Sequence, residues 1–158
     1  MGLIGFYAGS FDPFTNGHLQ IVKKAAQCFD SVIIGMGSNG EKPVKFDKSR
    51  MQEAIEQTLK DESLYNVTVV VYDILTVDKA RELGANILIR GLRNGTDYQY
   101  EENISAINEQ IANLDTCYFR AGELGYLSSS LVTELYKFNK NINEYVPRAI
   151  ANFLNSLK

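Results

Sequence analysis

The sequence of 158 residues contains no tryptophan, one histidine (His18) and two cysteines (Cys28 and Cys117). A structural zinc site usually draws four ligands from Cys and His, and no CxxC pair is present, so a zinc finger is excluded. A haem with two histidine ligands is excluded as well, and any Ser-His-Asp or Cys-His mechanism would have to use His18. Because two scattered cysteines are typical of a reducing compartment, we expect a cytoplasmic protein.

Basic residues are not in excess: 16 Lys and Arg stand against 19 Asp and Glu, which gives a formal net charge of −3. Since nucleic-acid-binding proteins are usually basic, we expect no nucleic-acid partner. No apolar run approaches the length of about 18 residues that a membrane helix needs, and residues 1–8 lack the basic segment of a signal peptide. We therefore expect no membrane association. The length of 158 residues suits a single domain, so we expect one domain over residues 1–158.

Short β-branched or apolar runs alternate with apolar residues at helical spacing. The spacing predicts strands at 3–8, 31–37, 66–72, 86–90 and 116–120. In the intervening helices apolar residues recur three or four positions apart, as on the face predicted for one long helix at Ile104, Ile107, Ile111 and Leu114. This alternation predicts an α/β fold: a Rossmann-like doubly wound sheet of about five parallel strands, with helices on both faces and further helices at the C-terminal end.

Several polar or glycine-containing segments follow directly after predicted strands. Right-handed crossovers bring the carboxyl ends of parallel strands to one edge of the sheet, and ligands bind outside that edge at the topological switch point. The segments are residues 9–18, 38–46, 72–75, 91–97 and 128–130. We expect them to surround a common cleft.

The segment GSFDPFTNGH at 9–18 ends the first strand and begins a helix. Gly17 lets the chain pass close to a ligand. His18 stands in the first helical turn, where free N–H groups and a partial positive charge suit a phosphate. A lone histidine at a helix start usually does only local capping, but the surrounding motif favours a ligand contact for His18. Asp12 is expected to stabilise the turn.

Cationic and hydroxyl groups occupy three other turns. Arg90 and Arg93 lie three apart at a strand end, where two guanidinium groups can hold phosphate oxygens; solvated surface arginines are the alternative. Lys42 and Lys45 follow the second strand, and a lysine there can reach the cleft; solubilising loop lysines are the alternative. The serines at 128–130 open a helix and can form an anion site, whereas a simple N-cap would explain one serine only.

The segment GSFDPFTNGH resembles the T/H-x-G-H signature of the nucleotidyltransferase superfamily. Together with RGLRNGTDYQYE at 90–101 and LSSS at 127–130, it is similar to the pantetheine-phosphate adenylyltransferases of the bacterial coenzyme A pathway. The three motifs occur in that family's order at similar spacing, and the resemblance covers almost the whole chain. It implies an enzyme that moves AMP from ATP to 4′-phosphopantetheine, giving dephospho-coenzyme A and pyrophosphate.

The resemblance also implies roles for individual residues. The catalytic residues would be His18, Lys42, Arg93 and Ser129. The acceptor substrate would contact Ser10, Lys42, Leu75 and Arg90, although ordinary packing is an alternative for Leu75. ATP would contact Ser10, Phe11, His18, Gly91, Leu92, Arg93, Glu101, Leu124, Gly125, Tyr126, Leu127, Ser128, Ser129 and Ser130. An exposed helix carboxylate is the alternative for Glu101.

A few positions depart from the pattern of that family. Ser10 stands where threonine is usual but keeps the hydroxyl, and Leu127 replaces a common isoleucine. An aromatic residue is often found near Leu124, so contacts to adenine are expected to differ there. The lysine doublet that precedes Pro and Phe in the family is broken at 41–46, which reads EKPVKF.

The resemblance further implies a homohexamer, and Mg²⁺ carried by ATP or pyrophosphate without a protein metal site. One alternative is another nucleotidyltransferase, with nicotinate mononucleotide or glycerol 3-phosphate as acceptor; those relatives more often carry HxGH where this chain has TNGH. A second alternative is a non-catalytic nucleotide-binding regulator. Such a regulator would be expected to lose some of the charged or hydroxyl groups that this chain retains.

Overall fold

The structure, a computed structural model, describes residues 2–38 and 43–158, in which strands and helices alternate. The strands are β1 (Ile4–Gly9), β2 (Ser31–Gly37), β3 (Val67–Tyr72), β4 (Ile87–Leu92) and β5 (Asp115–Arg120). The helices are α1 (Asn16–Cys28), α2 (Lys48–Asp61), α3 (Thr76–Glu82), α4 (Gly95–Ala112), α5 (Ser129–Lys137) and α6 (Arg148–Ser156), and a 3₁₀ turn spans Gly122–Leu124.

The five strands form one parallel sheet in the order β3-β2-β1-β4-β5. The predicted doubly wound, Rossmann-like sheet is confirmed. From β1 the chain winds outward through β2 and β3, and it then returns to the other side of β1 for β4 and β5. The direction of winding reverses between β1 and β4, so the crevice at their carboxyl ends is the topological switch point.

Helices cover both faces of the sheet, as predicted. Successive side chains of a strand point to opposite faces, and β1 shows this clearly. Tyr7 belongs to the larger apolar cluster, beneath α1, α2, α5 and α6. Phe6 and Ala8 belong to the smaller cluster, beneath α3 and α4. Within residues 2–38 and 43–158, none of the helices combines the length and apolar character needed to cross a bilayer.

Helix α4 has the predicted apolar face at its three isoleucines, but that face lies on the outside of the chain. Leu114, which was predicted to share this face, instead lies beyond the end of α4 and is buried in the smaller apolar cluster. Ile104 is 38% exposed, Ile107 55% and Ile111 56%. We call these three side chains the isoleucine stripe. The stripe runs for about 11 Å along the helix, at 1.5 Å of rise per residue.

Polar groups occupy the sheet-facing side of α4 instead. Glu101, Ser105 and Ala112 are buried, and they lie on one face because residues four and seven positions apart share a side of a helix. The Glu101 carboxylate binds Arg90 of β4, and the hydroxyls of Ser105 and Tyr118 of β5 are 2.7 Å apart. These polar contacts attach α4 to the sheet and turn the isoleucine stripe outward.

Candidate active site

A cavity of about 270 Å³ opens at the switch point, at the carboxyl ends of β1 and β4. It brings together most of the residues predicted from the sequence. The polar ones are Ser10, His18, Arg90, Arg93, Ser128 and Ser129. The others are Phe11, Gly91, Glu101, Leu124 and Leu127.

A second cavity of about 130 Å³ lies beside the first. Ser10, Phe11 and Ser129 line both cavities, so the two are neighbours across these residues. Ser130 and Lys45 line only the second. The predicted ligand Lys42 lies outside the described residues, so the choice between the two lysines stays open.

Four predicted residues line neither cavity. Leu75 is 55% exposed just after β3, and Tyr126 is 60% exposed beyond the 3₁₀ turn. Leu92 is the last residue of β4. Gly125 packs on the backbone of Arg93, where an added Cβ would lie 3.3 Å from the carbonyl oxygen. The ligand contacts of these four residues remain predictions.

The imidazole of His18 is held on several sides. The backbone N–H of Thr15, the N-cap of α1, donates to His18 Nδ1 at 2.9 Å. The ring packs against Phe11 at a centroid distance of 5.0 Å and against Phe14 at 5.5 Å. Because Nδ1 accepts this hydrogen bond, the proton of the neutral ring is on Nε2, and Nε2–H is the group left to donate to a ligand.

His18 is neutral at physiological pH. Burial, with smaller contributions from the positive charges of Arg90 and Arg93, lowers the pKa of His18 to about 3. The side chain can therefore supply a hydrogen bond to a developing negative charge, while the arginines supply the positive charge.

Arg90 is anchored at three points. Its Nε and Nη2 groups donate to the two carboxylate oxygens of Glu101 at 2.8 and 2.7 Å. Its Nη1 donates to the carbonyl of Ala8 on the central strand at 2.6 Å. A guanidinium has five N–H donors, so two remain for a ligand, and their direction is set by the other three. The sequence did not indicate this pairing, because Arg90 and Glu101 stand on different elements eleven positions apart.

Asp12 does more than the turn stabilisation expected of it. Its two carboxylate oxygens accept hydrogen bonds from the backbone N–H groups of Lys45 and Phe46, at 2.7 and 3.0 Å. The carboxylate thereby joins the turn after β1 to the segment that leads into α2. This contact places the backbone of Lys45 beside the smaller cavity.

The serines at the start of α5 have different surroundings. Ser128 is the N-cap, and its hydroxyl oxygen accepts the N–H of Leu131 at 3.1 Å. The Ser129 hydroxyl donates to the carbonyl of Pro13 at 2.7 Å, which attaches α5 to the turn after β1. The N–H groups of the first helical turn are aligned beside the cleft, an arrangement suited to a phosphate.

Some lining residues carry no signal in the sequence. Tyr7, Ile21 and Ala121 line the larger cavity, but they are apolar or aromatic positions outside the three motifs. Thr15 belongs to the TNGH motif, yet its role as the N-cap that orients His18 becomes visible only in the structure. Their places at the cleft depend on how β1, α1 and the segment after β5 pack together.

The chain matches the model of the cytidylyltransferase-like family over residues 6–135. A Plasmodium falciparum nicotinic acid mononucleotide adenylyltransferase has a similar structure, with a TM-score of 0.73, 13% identity, and coverage of 99% of this chain and 96% of that one. A Francisella tularensis bifunctional NMN adenylyltransferase/ADP ribose pyrophosphatase gives a TM-score of 0.73 at 18% identity, covering 99% of this chain and 49% of that one. These structures share the fold, which together with the family match defines a nucleotidyltransferase domain of the cytidylyltransferase-like class.

Curated relatives narrow this class. The phosphopantetheine adenylyltransferase of Streptococcus uberis is 42% identical over 157 residues, which cover 98% of this chain and 93% of that protein. The Cytophaga hutchinsonii enzyme of the same name is 40% identical over 152 residues, covering 95% and 100%. The chain belongs to the phosphopantetheine adenylyltransferase family, as its motifs indicated.

The neutral, Nε2-protonated state of His18 can be observed directly. The chain has one histidine, so ¹⁵N-histidine labelling gives the signals of a single imidazole. Because burial and two arginines lower its pKa to about 3, we expect the ring signals to stay constant from pH 8 to pH 5 and to indicate the Nε2–H form. A histidine in urea-unfolded protein serves as the control and should titrate near its usual pKa of about 6.5. A titration near 6.5 in the folded protein would contradict the assignment.

Proposed function

We propose that this protein transfers AMP from ATP to 4′-phosphopantetheine, giving dephospho-coenzyme A and pyrophosphate in coenzyme A biosynthesis. The observation that carries the proposal is the convergence of His18, Arg90, Arg93 and the start of α5 on one cavity at the switch point, in a chain of the phosphopantetheine adenylyltransferase family. The convergence combines cationic groups, a neutral donor and a helix N-terminus, a set that suits two phosphorylated substrates.

The reaction needs no general base. The attacking group is an oxygen of the acceptor's phosphate monoester, which is largely dianionic at pH 7 because its second pKa is about 6. It forms a bond to the α-phosphorus of ATP while the bond from that phosphorus to the bridging oxygen breaks, and pyrophosphate leaves with the electron pair. The work of the protein is to bring two polyanions together in line and to stabilise the transition-state charge.

We assign each residue to one of the reacting phosphate groups according to its place in the cleft. His18 donates from Nε2 to a non-bridging oxygen of the α-phosphate. Arg90 directs its two remaining N–H groups at the acceptor phosphate, with Lys42 as the second cation there. Arg93 and the start of α5, at Ser129, hold the leaving pyrophosphate.

The proposal includes Mg²⁺ that is bound to ATP. Among the described residues, no group of three or more His, Cys, Asp or Glu side chains is arranged to hold a metal ion. Glu101 is the one carboxylate among the described residues that line the larger cavity, and both its oxygens bind Arg90. We therefore propose that Mg²⁺ is held mostly by phosphate oxygens and water, where it would offset phosphate charge.

The proposal includes a cytoplasmic location and a hexamer. Cys28 and Cys117 form no disulfide, which is typical of a reducing compartment. The isoleucine stripe on α4 supports an oligomer, because an apolar surface of this kind is commonly covered by a partner. A second copy of the chain is the partner we propose for it.

The acceptor can be identified by measuring pyrophosphate release with ATP and Mg²⁺. We expect turnover with 4′-phosphopantetheine and none with nicotinate mononucleotide or glycerol 3-phosphate. Removing a donor to transition-state charge typically lowers kcat by about 100-fold or more, so His18→Ala should lose turnover with little change in the KM for ATP. Protein purified as this variant also controls for contaminating activity.

Other results of this assay would point elsewhere. Turnover with a different acceptor would refute the substrate assignment, and ATP binding without turnover on any acceptor would favour a regulator. A folded His18→Ala protein with unchanged kcat would remove His18 from the mechanism.

Glu101→Gln tests whether Glu101 orients Arg90 or contacts the nucleotide. The substitution removes the charged bidentate partner, so Arg90 becomes free to leave its position. We expect the KM for 4′-phosphopantetheine to rise by about 10-fold, as for the loss of roughly 1.4 kcal/mol of binding, and the KM for ATP to change less. The neighbouring Glu102→Gln, on the exposed side of α4, should leave both values within about twofold. A larger rise in the KM for ATP would show that Glu101 serves the nucleotide.

Ile107→Asp tests the role of the isoleucine stripe. A carboxylate at this exposed position would be costly to bury in an apolar interface, so we expect the oligomer to dissociate to species of lower mass. Light scattering coupled to size-exclusion chromatography measures the mass against the 17.7 kDa of one chain. Ala106→Asp, which adds the same charge on another side of α4, is the control. A wild-type monomer, or an unchanged mass for Ile107→Asp, would argue against the proposed interface.

A further inference from the structure

Tyr7 is a cleft residue to which the motifs assign no role. It lies on the central strand β1, in register with Ile34 of β2 and Ile89 of β4. Its ring packs edge-on against Phe11, with centroids 5.1 Å apart and planes at 78°, and the residue is 5% exposed. The surrounding core therefore fixes the position of the ring.

The hydroxyl of Tyr7 has no hydrogen-bond partner among residues 2–38 and 43–158. It is not sealed from solvent either, because the one buried side-chain polar atom without a partner in that part of the chain is Thr116 Oγ1. Since Tyr7 lines the larger cavity, its small remaining exposure includes the oxygen. A buried tyrosine hydroxyl usually has a partner, and here a molecule in the cavity can provide one.

The chemistry around this hydroxyl favours an anionic partner. Burial raises the pKa of Tyr7, so the phenol keeps its proton and acts as a donor. His18, Arg90 and Arg93 line the same cavity. A Cβ added to Gly91 would lie 3.0 Å from Ile21 and 3.8 Å from the Tyr7 oxygen, so the hydroxyl lies beside Gly91, one of the predicted ATP contacts. A donor beside positive charges suits an oxygen that carries negative charge.

We propose that Tyr7 is a nucleotide-binding residue whose hydroxyl donates a hydrogen bond to an anionic oxygen of ATP in the larger cavity. The proposal rests on the proposed function in one respect, which is that ATP occupies this cavity. It is independent of the identity of the acceptor.

Tyr7→Phe removes the oxygen atom and keeps the ring. We expect the Kd for ATP with Mg²⁺, measured by isothermal titration calorimetry without acceptor, to rise by about 10-fold, the loss typical of a hydrogen bond to a charged group. Because the hydroxyl has no partner in the described part of the protein, the urea midpoint of unfolding should stay the same or rise slightly. Unchanged stability with weakened binding separates a ligand contact from a structural role.

Tyr72→Phe is the matched control. Tyr72 is 8% exposed on β3, and its hydroxyl lies 2.8 Å from the hydroxyl of Thr76, within hydrogen-bond distance. This variant should show the opposite pattern, with a lower urea midpoint and a Kd for ATP within about twofold of the wild type.

Two results would overturn the proposal, and they differ in what else they affect. Tyr7→Phe protein that binds ATP within about twofold of the wild type would refute the role of Tyr7 and leave the proposed function intact. Wild-type protein that binds no ATP would refute both. Normal ATP binding with no turnover on 4′-phosphopantetheine would contradict only the proposed function, and Tyr7→Phe would still decide the role of the hydroxyl.

Discussion

The bidentate ion pair between Arg90 and Glu101 connects the interior of this protein to both its cleft and its outer surface. On the cleft side it fixes the guanidinium together with the carbonyl of Ala8. On the surface side it holds α4 with its polar face towards the sheet, which leaves the isoleucine stripe exposed. A charged pair in a half-buried position is costly to form unless its geometry is good. Here two short parallel hydrogen bonds satisfy it.

In the cleft, different side chains supply the positive charge and the neutral hydrogen-bond donor. Arginines provide the positive charge, and burial, with a smaller contribution from that charge, keeps the one histidine neutral. A protonated imidazole would repel its neighbours, whereas a neutral Nε2–H donor adds stabilisation without that repulsion. The arrangement suits a reaction whose nucleophile arrives already ionised, because no side chain has to accept a proton. The scarcity of histidine and the absence of a nucleophile–base pair in the motifs are consistent with such chemistry.

Most of the fold and many of the site residues could be predicted from the sequence. Alternating strands and helical stripes gave five parallel strands, and the TNGH, RGLR and serine motifs placed His18, Arg90 and Arg93 at one edge. The orientation of α4 could not be predicted in this way, since periodicity reveals an apolar face without showing what covers it. The tether from Asp12 to the segment before α2 was also hidden, because it joins side chain and backbone across 33 positions.

The order of the elements, the placement of the TNGH, RGLR and serine motifs after strands and the family of the chain could all be read from the sequence, because each depends on local pattern. Which groups meet depends on the tertiary structure. The tautomer of His18 comes from Thr15, and its low pKa comes mainly from burial and then from the charges of Arg90 and Arg93. The anchoring of Arg90 comes from α4, and the access of the Tyr7 hydroxyl to the cleft comes from strand register. These properties depend on distance and burial, which arise only when segments far apart in the chain pack together.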